Sequence, residues 1–346
     1  MSENKNKQNY KRIAISCAKV ISFILVFVII LEALSLTVFS KNNATKYKNK
    51  FQNAYNYVNE VDNSIDIIAL GNSNLYSCFC PLKLWDKRGY TSTVIASPRQ
   101  TVSMSYTMLT EVLKKQSPKM VILDAGMIYE GVELTFDDDK KKTDRLPVIP
   151  YINDNQLTND IQNHFTVFQL HDNWKRLSRN PKDKGAETNY NHGFYFNKKI
   201  KRTVPNKNMN YTDSVSEFPQ DSKVYLDKTV ALCKSKGIKL MLINAPSLNE
   251  WSYARHNGVK EFAQSNNADY IDFNTLDDYE INYDKDFRDK GFHMNYYGAK
   301  KITNYIGKYI NNTYPDLIED KRENADYSYW NDDKEKFIKN NKIKVF

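Results

Sequence analysis

Two short stretches carry the residues best suited to chemistry. The first is Gly71-Asn72-Ser73-Asn74, which follows the apolar run Ile65-Asp66-Ile67-Ile68-Ala69-Leu70 and precedes Leu75-Tyr76. Such a run reads as a buried strand, so Ser73 falls just past a strand's carboxyl end, where open α/β sheets bind ligands. A serine there can act as a nucleophile, because Gly71 permits a sharp turn and the amides opening the next helix can donate to an oxyanion. Serine and asparagine are also ordinary helix caps. The second stretch is Asp286-Phe287-Arg288-Asp289-Lys290-Gly291-Phe292-His293-Met294-Asn295-Tyr296-Tyr297-Gly298-Ala299, which sets a histidine in the loop before the last helix of the α/β pattern. A nearby carboxylate can hold its imidazole in the productive tautomer. A lone loop histidine is commonly structural. The order of the two stretches joins them: nucleophile after the first strand, base before that helix, the sheet between.

The elements that must position them alternate in an α/β rhythm. Further strand-like runs are Ser92-Thr93-Val94-Ile95-Ala96, Lys119-Met120-Val121-Ile122-Leu123, Ile238-Lys239-Leu240-Met241-Leu242-Ile243 and Tyr270-Ile271-Asp272-Phe273. Helical periodicity covers Val102 to Gln116, Ser222 to Lys236, Val259 to Asn266 and Tyr296 to Asn311. The pattern predicts a three-layer α/β domain over residues 65–311 with a five-stranded parallel sheet. Residues 127–220 interrupt it with a polar stretch holding Asp137-Asp138-Asp139-Lys140-Lys141-Lys142, Pro147 and Pro150. We read them as an insertion on the strand ends, with short helices around Asp160 to Leu177 and a lid or acceptor platform as its role. The charged tail, residues 312–346, holds Tyr327, Tyr329 and Trp330 and either wraps the domain or hangs free.

The N-terminus sets the compartment. Residues 21–39 are a 19-residue apolar stretch broken by one charge, Glu32, and a helix of that length spans the roughly 30 Å of bilayer hydrocarbon. Lys5, Lys7, Lys11 and Arg12 keep the arm, residues 1–12, in the cytoplasm. An anchor over 13–40, a juxtamembrane segment over 41–64 and an extracytoplasmic remainder follow. A cleaved signal peptide with Ala33-Leu34-Ser35 as its site is the competitor, but the apolar run exceeds a signal core. An acid near mid-bilayer wants a partner, so Glu32 either reaches the outer interface or contacts another membrane protein.

Composition removes other classes. With 41% hydrophobic residues, 24 Tyr and 17 Phe the chain has material for a core, and four cysteines do not make a disulfide framework. A net charge of +9 favours anionic surfaces, yet no zinc-finger, basic-helix or RNA-binding signature is present, so nucleic acid is not expected as a partner. His164 and His171 lack a carboxylate pattern for a metal, and His192 and His256 read as surface residues. No Gly-rich phosphate loop exists, and no cofactor is expected.

From strand-Gly71-Asn72-Ser73 to Asp289-x-x-x-His293-x-Asn295-x-x-Gly298, over roughly residues 62–311, the sequence resembles the SGNH/GDSL hydrolase superfamily. It looks most like membrane-anchored exported members that work with membrane-bound O-acyltransferases, such as D-alanyl-teichoic-acid transfer and polysaccharide O-acetylation proteins. The resemblance implies a flavodoxin-like fold, Ser73 as nucleophile and His293 as base. It also implies acyl, most simply acetyl, transfer to hydroxyls of a cell-envelope glycopolymer, with a membrane-bound O-acyltransferase as partner and Glu32 as the residue to contact it. A carbohydrate esterase using the same site is one rival; a non-catalytic glycan-binding partner is the other. The family aspartate stands three residues before the histidine, a position held here by Lys290, so Asp289 is the expected orienting acid, with a Ser-His dyad as fallback. The family glycine of the second block is replaced within Pro98-Arg99-Gln100, leaving the Arg99 amide or the Gln100 side chain as donor, and Asp124-Ala125-Gly126 replaces the third block's asparagine. Asn72 and the Ser73 amide are the expected oxyanion donors, and Asn244 is expected to point into the same cleft.

Overall fold

The structure, a computed structural model, describes residues 2–40, 54, 56–130, 156–171, 190–248, 251–276 and 281–344. Their contacts divide the chain into two compact units, residues 1–44 with 147–182, and residues 45–146 with 183–346. The Asp137–Lys142 run, Pro147 and Pro150 of the predicted insertion lie outside the described residues.

Strands β1 (Ile67–Gly71), β2 (Ser92–Ala96), β3 (Met120–Asp124), β4 (Lys239–Asn244) and β5 (Asp269–Asp272) form a parallel sheet in the order β2-β1-β3-β4-β5. This is the flavodoxin order, whose switch point, at β1 and β3, is where such sheets open a crevice. The strands read as unbroken apolar runs because helices cover both faces: β1, β2 and β3 are buried along their whole length.

In chain order the helices among the described residues are α1 (Ser2–Leu36), α2 (Ser73–Cys78), α3 (Pro81–Arg88), α4 (Val102–Val112), α5 (Gln156–His164), α6 (Val167–Leu170), α7 (Gln220–Ser235), α8 (Tyr253–Asn266), α9 (Tyr296–Thr313) and α10 (Tyr329–Asn341). Helix α9 places Ala299, Ile302, Ile306 and Ile310 at helical spacing on the sheet, where the isoleucines join Ile67, Ala69, Ile122 and Met241 in one core. Burying each isoleucine is worth about 2 kcal/mol. Helix α2 is the helix expected to open after Asn72, whereas α3 was not expected. Together they fill the β1-to-β2 crossover, and their brevity leaves too few turns for a periodicity signal; α2 opens with Asn72 as N-cap and α3 with Pro81 in its first turn.

The tail packs onto the sheet unit. Trp330 and Phe337 are buried, Trp85 Nε1 donates to Asn331 Oδ1 at 3.0 Å, and Trp330 stacks on His192 with ring centroids 3.7 Å apart. His192 is therefore a core residue, not the surface residue its sequence context suggested: Glu60 takes its Nδ1 at 3.0 Å and Asp333 lies 3.5 Å from Nε2. Both partners are remote in sequence, which is why the burial was illegible.

In the smaller unit, Lys7–Leu36 is a 30-residue stretch long and apolar enough to cross a membrane. The C-terminal end of α1 leaves carbonyls without helical partners. Thr166 Oγ1 donates to Ser35 O at 3.1 Å and to Phe39 O at 2.7 Å, and Val167 N donates to Ser35 Oγ at 3.3 Å. Part of the predicted insertion thus belongs with the N-terminal helix, as α5 and α6 separated by Phe165-Thr166. Glu32 meets His164 there, with Oε2 2.8 Å from Nε2.

Burial opposes the charge on His192, but the Glu60 and Asp333 carboxylates outweigh it and raise the imidazole from 6.5 to about 9. A group with a raised folded-state value stabilises fully below its unfolded value and loses that contribution as pH rises through the folded one. Thermal midpoints should therefore fall between about pH 7 and about pH 10 in the wild type and run flatter in His192→Gln. Parallel slopes in the two proteins would assign the loss to other groups.

Candidate active site

Gly71 ends β1 where the chain must pass close to β3. A Cβ at this position would lie 2.5 Å from Asp124 Cβ and 2.9 Å from Leu75 Cβ, so only glycine fits without displacing the backbone. Asn72 then caps α2, its side chain accepting from Asn74 N at 2.8 Å, while Asp124 Oδ2 accepts from Asn72 N at 3.4 Å. The cap sets Ser73, half-buried, at the first position of the helix.

The histidine comes from a loop tied at its neck. Phe287 and Met294 form an antiparallel bridge, and Arg288 N donates to His293 O at 3.1 Å. Between them Lys290 and Gly291 adopt left-handed backbone, φ 67° and 103°, which turns the chain tightly enough for Asp289 to meet His293 four residues on. Asp289 Oδ1 accepts from His293 N at 2.7 Å and Oδ2 lies 2.5 Å from His293 Nδ1. On the other side of the ring, Nε2 is 2.8 Å from Ser73 Oγ. Burial pushes the Asp289 carboxyl up, but hydrogen bonds and charge from His293, the His293 amide and Arg288 overcome it and hold it below the ordinary range. It stays ionised and fixes the imidazole tautomer that leaves Nε2 free to take a proton.

Asn295 pins this loop. Its oxygen accepts from Tyr297 N and Gly298 N, capping α9, while its Nδ2 donates to Lys285 O at 2.6 Å, Lys199 O at 3.1 Å and Phe287 O at 3.2 Å. Residues 194–203, which the sequence assigned to the insertion, run alongside: Tyr195 N donates to Tyr76 O, Lys201 N to Phe287 O and Thr203 Oγ1 to Lys290 O, at 2.8, 2.8 and 2.9 Å. This segment holds the histidine loop in place.

Of the other expected residues, Arg99 is exposed with φ 56°, the left-handed conformation that glycine adopts without strain. Gln100 is fully buried and faces away from any such role: Nε2 donates to Ile95 O and Ser105 Oγ, each at 3.0 Å, and Oε1 accepts from Ser97 Oγ. It braces the turn, and both of its donor hydrogens are used. Asn244, buried at the end of β4, donates to Asp272 Oδ1 at 3.4 Å. Asp272 also accepts from Trp251 Nε1 at 2.7 Å and lies 2.8 Å from His256 Nδ1, so His256 is a buried network member and not a surface residue. Asp286, seven residues before the histidine, is buried; it pairs with Lys301 Nζ at 2.7 Å and accepts from Asn282 N at 2.7 Å.

Three residues of the site were missed in sequence. The Tyr76 hydroxyl interacts with both Ser73 and Arg288, and Arg288 stacks 4.8 Å over the Tyr195 ring. Burial pushes the Tyr76 phenol up, with Arg288 opposing, so it remains a neutral donor. A tyrosine three residues after the serine shares its helix face, and that spacing was the available signal.

No protein-family model matches the chain, and no curated protein matches it. Among solved structures it is similar to a "putative acylhydrolase" from Bacteroides fragilis NCTC 9343, at 14% identity and TM-score 0.36 over 78% of this chain and 97% of that one. It is also similar to a GDSL-like lipase from Bacteroides thetaiotaomicron VPI-5482, at 13% identity and TM-score 0.35 over 72% and 88%. The reading of the site therefore rests on its own geometry.

Asn295→Ala removes a helix cap and leaves buried carbonyls unpaired, and should cost roughly 2 kcal/mol or more in denaturant unfolding. Asn295→Ser keeps a cap acceptor and loses the amide donors without setting a second oxygen against the carbonyls, so an intermediate cost is expected. Equal stability of all three proteins would contradict the pinning role.

Proposed function

We propose that this chain is an extracytoplasmic serine acyltransferase of the SGNH type, anchored by α1 with its N-terminus in the cytoplasm. The observation that carries the reading is the continuous Ser73–His293–Asp289 hydrogen-bond chain. His293 Nε2 takes the Ser73 proton as Oγ attacks the carbonyl carbon of an acyl donor. The tetrahedral oxyanion is met by the Ser73 amide, with Asn72 and the Arg99 amide as further donors. The leaving group departs with the proton from His293, leaving an ester on Ser73. A hydroxyl of a cell-envelope glycopolymer then gives its proton to Nε2 and attacks that ester, restoring the serine.

A membrane-bound O-acyltransferase is the proposed source of the acyl group, with Glu32 the residue on α1 to test for contact. The pairing of Glu32 with His164 gives that carboxylate a partner inside the chain, so such contact would have to include His164. Water in place of the sugar hydroxyl would make the same site an esterase. A purely binding role is disfavoured by the alignment of nucleophile, base and acid, which glycan binding does not require.

Full-length protein in detergent micelles, treated with a fluorophosphonate and mapped by mass spectrometry, should carry the adduct on Ser73. Ser73→Ala should carry none, and Asp289→Asn should label more slowly by roughly three to four orders of magnitude, because the wrong imidazole tautomer is then favoured. Absence of a Ser73 adduct on folded wild-type protein would return the chain to a binding role.

A further inference from the structure

We infer that Arg288 forms an anion subsite beside the nucleophile, which selects substrates bearing a carboxylate or phosphate close to the reacting acyl or hydroxyl group. The inference deepens the acyltransfer reading and rests on it only for the identity of the neighbouring serine. Arg288 is nine-tenths buried, with 10% of its side chain exposed, and its Nη1 is buried without a hydrogen-bond partner. A guanidinium has five N–H donors in a planar fork, and one hidden from water without a partner carries a desolvation cost that folding alone does not recover.

The surrounding groups engage other parts of the guanidinium and leave Nη1 without a partner. Asp289 is the adjacent acid, but its Oδ2 is 3.7 Å from Nε, beyond hydrogen-bond length, and is already engaged by His293 Nδ1 at 2.5 Å. The Tyr195 face supports the guanidinium plane at 4.8 Å and the Tyr76 ring packs on Tyr195 with centroids 5.6 Å apart, so the residue is held in one orientation. Arg288 belongs to the histidine loop itself: its N donates to His293 O at 3.1 Å, its Nε lies 3.7 Å from the Asp289 carboxylate, and His293 Nε2 is 2.8 Å from Ser73 Oγ. An oxygen anion on this guanidinium falls within the span of a molecule reacting at Ser73. A planar fork favours bidentate oxyanions, and a uronate carboxylate and a phosphodiester share that chemistry.

The test measures binding directly, so that it stands apart from catalysis. Full-length Ser73→Ala in detergent micelles is titrated, by saturation-transfer NMR, with methyl glucuronoside against methyl glucoside and with glycerol 1-phosphate against glycerol. At least one anionic ligand should bind more tightly than its neutral counterpart by about 10- to 100-fold, and which pair responds distinguishes carboxylate from phosphate. Adding Arg288→Gln should erase that preference, and Arg288→Lys, which keeps the charge without the fork, should restore part of it. Equal binding of charged and neutral ligands, no binding of either anion, or a preference that survives Arg288→Gln would each overturn the assignment. Fluorophosphonate labelling of Ser73 in the otherwise wild-type chain reports separately on the nucleophile, so failure of one reading is not mistaken for failure of the other.

Discussion

The contact between Ser73 Oγ and His293 Nε2 joins residues 220 positions apart, and most of the larger unit exists to hold that distance. A hydrogen bond of 2.8 Å tolerates only a few tenths of an ångström of drift before it weakens, whereas a free chain closing a loop of this size has no such precision. The sheet supplies it. Strand β1 carries the serine to its carboxyl end, α9 packs its isoleucines against the same sheet, and the histidine loop sits directly before α9. Both partners are thereby referenced to one rigid core.

Local chemistry then completes what the core begins. Ser73 is fixed by a close approach to β3 that only Gly71 permits and by the Asn72 cap; His293 is fixed by Asn295, whose amide serves a helix and three separate carbonyls. The four-residue spacing between Asp289 and His293 is closed by left-handed backbone at Lys290 and Gly291, inside a loop tied by the Phe287–Met294 bridge.

Much of this was legible in the amino-acid sequence, and the exceptions share a cause. Parallel strands are buried on both faces and announce themselves as apolar runs, so β1 to β5 were located within two or three residues; α9 was readable from its isoleucine spacing. Ser73, His293 and Asp289 were legible because strand-turn-serine and acid-turn-histidine are local patterns. What was not legible depended on partners distant in the chain. His192 and His256 look exposed among polar neighbours, and only Glu60, Asp333 and Asp272 explain their burial. Gln100 was expected to face the cleft because nothing local reveals that Ile95 O and Ser105 Oγ take its amide. The segment 127–220 read as one insertion because it is uniformly polar, yet its described parts serve different units.

Electrostatics gives the site a direction that the hydrogen-bond chain alone lacks. Serine, imidazole and carboxylate are indifferent to whether the attacking hydroxyl belongs to water or to a sugar, since both offer one proton to Nε2. Selectivity must come from groups that stabilise one bound molecule over the solvent. A guanidinium buried near the serine and braced by Tyr195, with Nη1 unpaired, fits the inferred role: a ligand that brings its own negative charge supplies the acceptor that Nη1 lacks. Arg288 also adds, after the hydrogen bonds and charge of His293, to the effects that hold the Asp289 carboxyl below its ordinary range. Arg288 can therefore serve orientation of the base through one edge and recognition of the substrate through the other.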